Sequence, residues 1–512
     1  MSINNKLNYF LMMSMPILLI VGPFLSDLVI VIFFLSALIL IFRRQLSIEK
    51  NLKKFIYIFL VFYLIGLLSS SLSIEKFISL KSSIPYLRYL GFVLVAYYLY
   101  NTKKGLVEKL GIITICIFLI FFIDSILFFL FGFNIPIEKM ANDRFSSFFG
   151  DEKVLGGYVA RLVPLGLIYI SSINNQNQKK FFYLLYLLLA SYLILLSGER
   201  TALVIFFVEL LIIIIFFSNL RKILITFFSI ILIFSFLLIY FSPNEKFSKP
   251  FERIVLHSMK QLYFNDQKFS FFSARHEDHY KTAINIFSKK TFLGGGNKSF
   301  RFMCSMEDYS VRKDVDERYT EYAQYDDYII IIKVKNLVDG EDNFKLYYKN
   351  NQMHHNKNVF NVGKLKDFVD KPLYVKQLKI FDGNKISNKN YLNLNNSYVK
   401  KNQKLFLYDG QIYFRDGCNT HPHHIYLQIA SENGIINLLI IIFLLFYIII
   451  QFVNLHKKKY KDKFNSKEVL LLLMIFIQIL PFLPSGNFFN NWLSIFFFLP
   501  IGFYLALKDN LE

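Results

Sequence analysis

Arginines and histidines that fall in or beside apolar runs are the first chemical signal in this chain. Arg88 (IPYLRYLGF), Arg161 (GGYVARLVPL) and Arg200 (LLSGERTAL) each sit within or at the edge of such a run, and Arg144 precedes one in NDRFSSFFGDE. Arg275 and Arg301 lie in a polar stretch further on. A guanidinium at membrane depth is costly and by default marks a site. Several of one sign on one side call for an anion, and the guanidinium fork matches the oxygens of a diphosphate. The alternatives are snorkelling to headgroups or pairing with Asp151, Glu152 or Glu199. The second signal is the run from Cys418 to Gly434, CNTHPHHIYLQIASENG. Pro422 suits a helix start, and Tyr426, Ile429 and Ile436 follow at helical spacing. His421, His423 and His424 therefore crowd where a helix begins, and an imidazole accepts a proton near neutral pH. Their crowding disfavours a metal site, and plain interfacial histidines are the other alternative. His276 and His279 lack the four-residue spacing of a zinc-protease helix. Residues Gly294 to Lys298 read as a tight turn rather than a phosphate loop. Asp314-Val-Asp316 is flanked by Lys313 and Arg318 and carries little as a metal pair. No metal and no cofactor is expected.

The elements that must hold these residues are apolar. Of 512 residues, 54% are hydrophobic, 18% aromatic and only 19% charged. That excludes a disordered chain, a collagen or a coiled coil and argues against an ordinary soluble enzyme. Apolar runs of membrane-spanning length recur near 8–25, 28–42, 55–72, 85–100, 110–133, 154–172, 181–197, 201–219, 222–242, 435–453, 469–485 and 488–506, about twelve in all. With the N-terminus in the cytoplasm, the inside loops are mostly basic, ending in HKKKYKDKFNSK. The outside turns, such as Ser26–Asp27 and Pro484 to Asn491, carry almost no positive charge, as the positive-inside rule requires. The net charge of +21 thus needs no nucleic acid to explain it. The first apolar run shows no small-residue cleavage site and reads as a retained span.

The expected organisation is transmembrane helices 1–9 over 1–242, a large outside loop over 243–423, and helices 10–12 over 424–512. A loop of that length carries function more often than it merely connects. Its stretch 326–415 is rich in β-branched and aromatic residues with Asp-Gly pairs, and LFLY-DG-QIYF reads as a hairpin. Cys304 and Cys418 bracket this β-rich insertion in an oxidising compartment and are expected to bond, whereas Cys116, inside a span, stays a thiol.

These residues resemble the O-antigen ligase and O-antigen polymerase superfamily of polytopic membrane glycosyltransferases. In HPHHIYLQIASENGII, His423, Tyr426, Leu427, Gln428, Glu432 and Gly434 fit the family pattern, and His424 stands where an Asn is usual. RFSSFFGDEKVLGGYVARLVP, SGERTAL and SARHEDHYKTAINIFSKKTFLGGGNKSFRFMC are similar to other family segments; about 305–415 is outside the resemblance. The resemblance implies an all-α polytopic membrane protein with a GT-C-like fold, working on the periplasmic face of the bacterial inner membrane without metal. It implies a glycan on undecaprenyl diphosphate as donor. The acceptor is a lipid A–core sugar for a ligase or another lipid-linked repeat for a polymerase. Arg200 and Arg275 would clamp the diphosphate, with Arg144, Arg161 and Arg88 around them, and His423 would be the base. A flippase for the same lipid is the reading from a different class, but it has no need of the large loop and should show two similar halves. A glycan-binding surface protein is a third.

Overall fold

The computed structural model describes residues 3–131, 145–150, 152–217, 274–304, 419–459 and 465–512, isolated positions at 220–227, 272, 306–311 and 417, and five strand segments between 328 and 414. The helices are α1 (Ile3–Val21), α2 (Pro23–Phe42), α3 (Lys50–Ser71), α4 (Lys76–Ser83), α5 (Arg88–Thr102), α6 (Leu106–Phe131), α7 (Leu155–Ser171), α8 (Gln176–Ser197) and α9 (Arg200–Phe216). They continue as α10 (Ala274–Lys289), α11 (Phe300–Met303), α12 (Ile425–Lys459), α13 (Ser466–Phe476) and α14 (Asn491–Leu511). The expected ninth span, 222–242, lies almost wholly outside the described residues.

Six of these helices are long and apolar enough to cross a membrane: α2, α3, α6, α8, α12 and α14. Asn5–Val21 and Leu155–Ser171 are shorter apolar helices. The outward faces of α2, α3 and α6 expose Phe24, Phe42, Leu64, Leu68 and Leu130. A surface so densely apolar belongs against lipid rather than water, and the protein is a multi-pass membrane protein. Near the centre stands α14, whose most apolar stretch is 83% buried against 28% for α3. Its neighbours are α5, α13 and α3, and α5 also packs on α2.

Three boundaries differ from the sequence reading, each for a local reason. The turn between the first two helices falls at Gly22, because Pro23 is set to start a helix. Ser26 and Asp27, expected in that turn, are instead inside α2. The run 469–485 is not one helix. It passes from α13 into a 3-10 turn and stops at Leu480, which is extended (ψ 126°) ahead of Pro481. A proline disfavours the helical conformation in the residue before it. The chain then runs without regular structure to Asn490.

The third difference is in α12. The histidine-bearing helix and the tenth span form one run, broken at Gly434 (φ 79°, ψ −172°). A break at membrane depth leaves backbone groups that must find partners in the protein. The glycine turn after α10 supplies them. Gly295 N–H donates to Ser431 O at 2.9 Å, Gly296 N–H to Glu432 O at 2.7 Å, and Thr291 O accepts from Ile435 N–H at 2.7 Å. Ser69 Oγ adds a bond to Glu432 O at 2.8 Å. No side chain fits at Gly434, since a Cβ there would lie 2.1 Å from Phe292 O.

The five strands, β1 (Tyr328–Lys335), β2 (Asp342–Tyr347), β3 (Leu373–Asp382), β4 (Gln403–Tyr408) and β5 (Gln411–Phe414), form one sheet of order β2-β1-β3-β4-β5. Every pairing is antiparallel. Tyr408 stands opposite Gln411 across the shortest connection.

Candidate active site

The segment Asn419 to His424 lies against α10. Pro422 does not begin the helix. It precedes His423, whose φ of 57° is left-handed, and α12 starts only at Ile425. Left-handed backbone in a non-glycine residue is uncommon and collects at functional sites. Here it is held by two bonds to the His423 carbonyl, from Ser485 N–H at 2.9 Å and from Tyr280 Oη at 3.5 Å.

The bend sorts the three neighbouring histidines into different environments. His424 Nδ1 accepts from Leu427 N–H at 3.4 Å and so caps the start of α12. His421 is buried, and its Nδ1 pairs with Thr420 Oγ1 at 2.8 Å. Burial, helped by the charge of Arg301, pulls its pKa down to about 4, so it is neutral at neutral pH. Burial also lowers the pKa of His424. His423 enters a cluster of rings. His421 lies 4.0 Å away between centroids, and His276 and His279 each lie 5.4 Å away. His279 is nearly parallel to it, at 24°.

His276 and His279 are the site residues that sequence reasoning misses. They are three apart on α10, which puts both on one helix face. That spacing is the available signal. Weighing it only against a zinc-protease pattern hides its simpler meaning, two imidazoles presented side by side. Among the described residues no group of three histidine, cysteine or acidic side chains is placed to hold a metal ion.

Two turns into α12, Glu432 is fully buried. Gln428 Nε2 reaches its Oε2 at 3.0 Å, and Phe300 N–H its Oε1 at 3.4 Å. Lys298 (φ 61°) and Arg301 close the same corner. Burial, then the charge of Arg301, lowers the Lys298 pKa.

The arginines divide. Arg88 is ion-paired with Asp27 at 2.6 Å and donates to Asn491 Oδ1 at 2.8 Å, tying α5 to α2 and α14. Asp27 is a partner that a turn at Ser26–Asp27 would have hidden. Arg161 donates through Nε to Gln478 Oε1 at 3.0 Å and through its amino group to Gly157 O at 2.9 Å, and lies 5.9 Å over Trp492. Glu199 accepts from Gly156 N–H at 2.7 Å and Gly157 N–H at 3.1 Å. That carboxylate therefore answers the positive end of α7 beside Arg161. Arg200 opens α9 and is exposed. Arg275 is in the first turn of α10, but its side chain, like Arg144 and Cys418 altogether, is outside the described residues. Cys304 is disulfide-bonded and Cys116 is a free thiol.

Arg161 also lines a narrow cleft between α7, α9, the start of α12 and the irregular segment after α13. Thr201, Gln478 and Ser485 supply its other polar groups, and Ile205, Leu480 and Phe488 part of its apolar lining. Ser485 thus faces the cleft and at the same time bonds the His423 carbonyl. An apolar cleft with a buried cation, sharing a wall with an imidazole cluster, suits an amphipathic anion that undergoes proton-coupled chemistry at its polar end.

The fold is that of a polytopic helical membrane protein, and a cluster of polar side chains lies where α10 meets the start of α12. Residues 185–328 match the family model described as O-antigen ligase. This match supports the resemblance to the O-antigen ligase and polymerase superfamily. It takes in Arg200, α10 with its two histidines, and the glycine turn, and it ends before His423. A search of curated proteins returned no match.

Proposed function

We propose that the protein is an O-antigen ligase-like glycosyltransferase that moves a glycan from undecaprenyl diphosphate to a sugar hydroxyl of lipid A–core. In this reading the chain is an inner-membrane protein of about twelve spans with a GT-C-like architecture. Its large loop, with the β-rich insertion 326–415, is periplasmic. The observation that carries the reading is the shared wall between the Arg161 cleft and the His423 cluster. The donor's diphosphate sits among Arg161, Arg200 and Arg275, with Arg144 nearby, and its isoprenoid lies along the apolar side.

His423 takes the proton from the acceptor hydroxyl as that oxygen bonds to the anomeric carbon. The bond from that carbon to the diphosphate oxygen breaks, and its electron pair leaves with the diphosphate. Arginines stabilise that developing charge, so the reaction runs without a metal.

Joining one lipid-linked repeat to another, as a polymerase does, uses the same residues and is the second reading. Transport of the lipid-linked sugar is the reading from another class. The test is transfer by purified protein from a lipid-linked glycan to lipid A–core, wild type against His423→Ala. Transfer that disappears in the variant supports the reading, and transfer that survives unchanged refutes the base. In cells, deletion that leaves free lipid A–core beside undiminished lipid-linked polymer means a ligase. Core carrying single repeats means a polymerase.

A further inference from the structure

The orientation of one side-chain amide fixes where the His423 ring carries its lone pair. Asn419 Oδ1 accepts from Thr420 N–H at 2.7 Å. A backbone N–H is only a donor, so the atom facing it must be the amide oxygen, and the amide cannot be turned the other way. The NH2 end then faces His423 Nε2 at 3.0 Å. Two donors do not face each other at that distance, so Nε2 must be the bare nitrogen and, in the neutral ring, Nδ1 carries the hydrogen. The backbone beneath the ring is also pinned, by Ser485 N–H and Tyr280 Oη on the His423 carbonyl.

We propose that Asn419 is the positioning residue of the site: it selects the His423 tautomer whose Nε2 is open to a proton, and its amide N–H holds the place that the acceptor's hydroxyl takes over. This rests on the reading of His423 as the base. It deepens that reading by naming the nitrogen that acts and the contact that substrate must displace. The hydroxyl O–H, on replacing the amide, donates to the same lone pair, and its proton passes to Nε2 as the new glycosidic bond forms.

Asn419→Asp and Asn419→Ala separate this role from a merely structural one. A carboxylate is nearly isosteric and can still accept from Thr420 N–H. Facing Nε2, however, it is satisfied only if that nitrogen carries a hydrogen, which removes the bare base and favours the charged ring. Asn419→Asp should lower kcat/KM by about tenfold or more and move the acid limb of its pH profile upward. Asn419→Ala should cost only a few-fold and leave that limb in place. Among the described residues, the titratable groups around His423 are His276, His279 and Tyr280 from α10 and His421 and His424 from its own segment. Glu277 and Asp278 lie between the two α10 histidines, and Arg301 acts on His421. All are unchanged in both variants, so a moved limb reports the substituted contact. If Asn419 only shaped the turn, aspartate would be the milder change and the limb would not move.

Nitrogen-15 shifts of histidine-labelled protein, with the His423 signals found by difference against His423→Ala, give a readout that needs no activity. A non-protonated Nε2 in wild type and a protonated one in Asn419→Asp are expected. A protonated Nε2 in wild type overturns the proposal, and so does an Asn419→Asp enzyme that works like wild type. The His423→Ala assay keeps the two ideas apart. Its full activity would sink the base reading and with it the catalytic half of this one. An inactive His423→Ala beside a normal Asn419→Asp would sink this inference alone.

Discussion

The arginine side and the histidine side of the site are built in opposite ways. Arg88 and Arg161 lie at the ends of, or within, packed helices and are already engaged by Asp27, Asn491, Gln478 and the Gly157 carbonyl. Their geometry is set by neighbouring helices of the bundle. The histidine side is assembled from segments distant in sequence, His276 and His279 on α10 and His421 to His424 before α12, and its central residue sits on left-handed backbone. Cations in the bundle must be compensated wherever they lie, because an unpaired charge out of water is expensive. An imidazole is neutral when deprotonated, and burial only biases it that way. A buried arginine is therefore weak evidence for a ligand until its partners are known. A histidine on left-handed backbone, clustered with other imidazoles, is stronger evidence for chemistry.

The largest expected effect falls on the histidine side. His423→Ala should reduce transfer by about 100-fold or more, the usual scale for losing a general base. Binding of the lipid-linked donor should change little, because the arginines hold its diphosphate. His424→Ala should cost far less, since its Nδ1 serves as a helix cap. Chelator should not alter the wild-type rate. Full activity of His423→Ala, or loss of wild-type activity on chelation, would overturn the assignment.

Next is the response to acid. His421 has a pKa of about 4 in the folded protein, against the ordinary histidine value of 6.5 that the unfolded chain restores. The unfolded chain therefore holds the extra proton between those values, and stability is lost as pH falls from 6.5 towards 4. The contribution is on the order of 2 kcal/mol, allowing for its slight exposure. Thermal unfolding in detergent across this range should show a steeper loss for wild type than for His421→Gln. Equal slopes would mean that His421 is charged in the native state.

The arginines should respond to shape rather than charge. Arg200→Lys and Arg275→Lys keep the charge but lose the two-pronged contact, and activity should fall about tenfold with insertion intact. Near-normal activity in either variant would remove that residue from the clamp.

Some of this architecture is legible in the sequence, and the rest is hidden for definite reasons. The six membrane-length helices are legible because a run of apolar residues of that length has few other solutions. The crowding of His421, His423 and His424 just ahead of an apolar helix is legible because those residues are neighbours in the sequence. The break at Gly434 is not, since one glycine in an apolar pattern leaves the periodicity intact, and its rescue comes from the turn at 294–296, far away in sequence. The end of the helix at Leu480 is signalled by Pro481 and Pro484, but the apolar run around them outweighs that signal. The approach of α10 to the histidines is a tertiary contact, and only the three-residue spacing of His276 and His279 hints at it.

The smallest expected effect bears most directly on the contrast. Arg88 is expected from sequence among the diphosphate ligands, yet its guanidinium faces Asp27 and Asn491 at the junction of α2, α5 and α14. Side-chain exposures of 14% and 29% place this pair short of full burial, so solvent screens it in part. Asp27→Asn, which keeps an accepting oxygen but removes the charge, should therefore lower stability by only about 1 kcal/mol. If Arg88 is a structural tie, transfer activity and donor affinity should be unchanged, because no substrate contact is lost. If Arg88 instead serves the diphosphate, freeing it from its carboxylate should tighten donor binding. Donor titration of Asp27→Asn against wild type decides between these outcomes. Tighter binding would return Arg88 to the clamp and erase the distinction between arginines that hold the bundle and arginines that hold substrate.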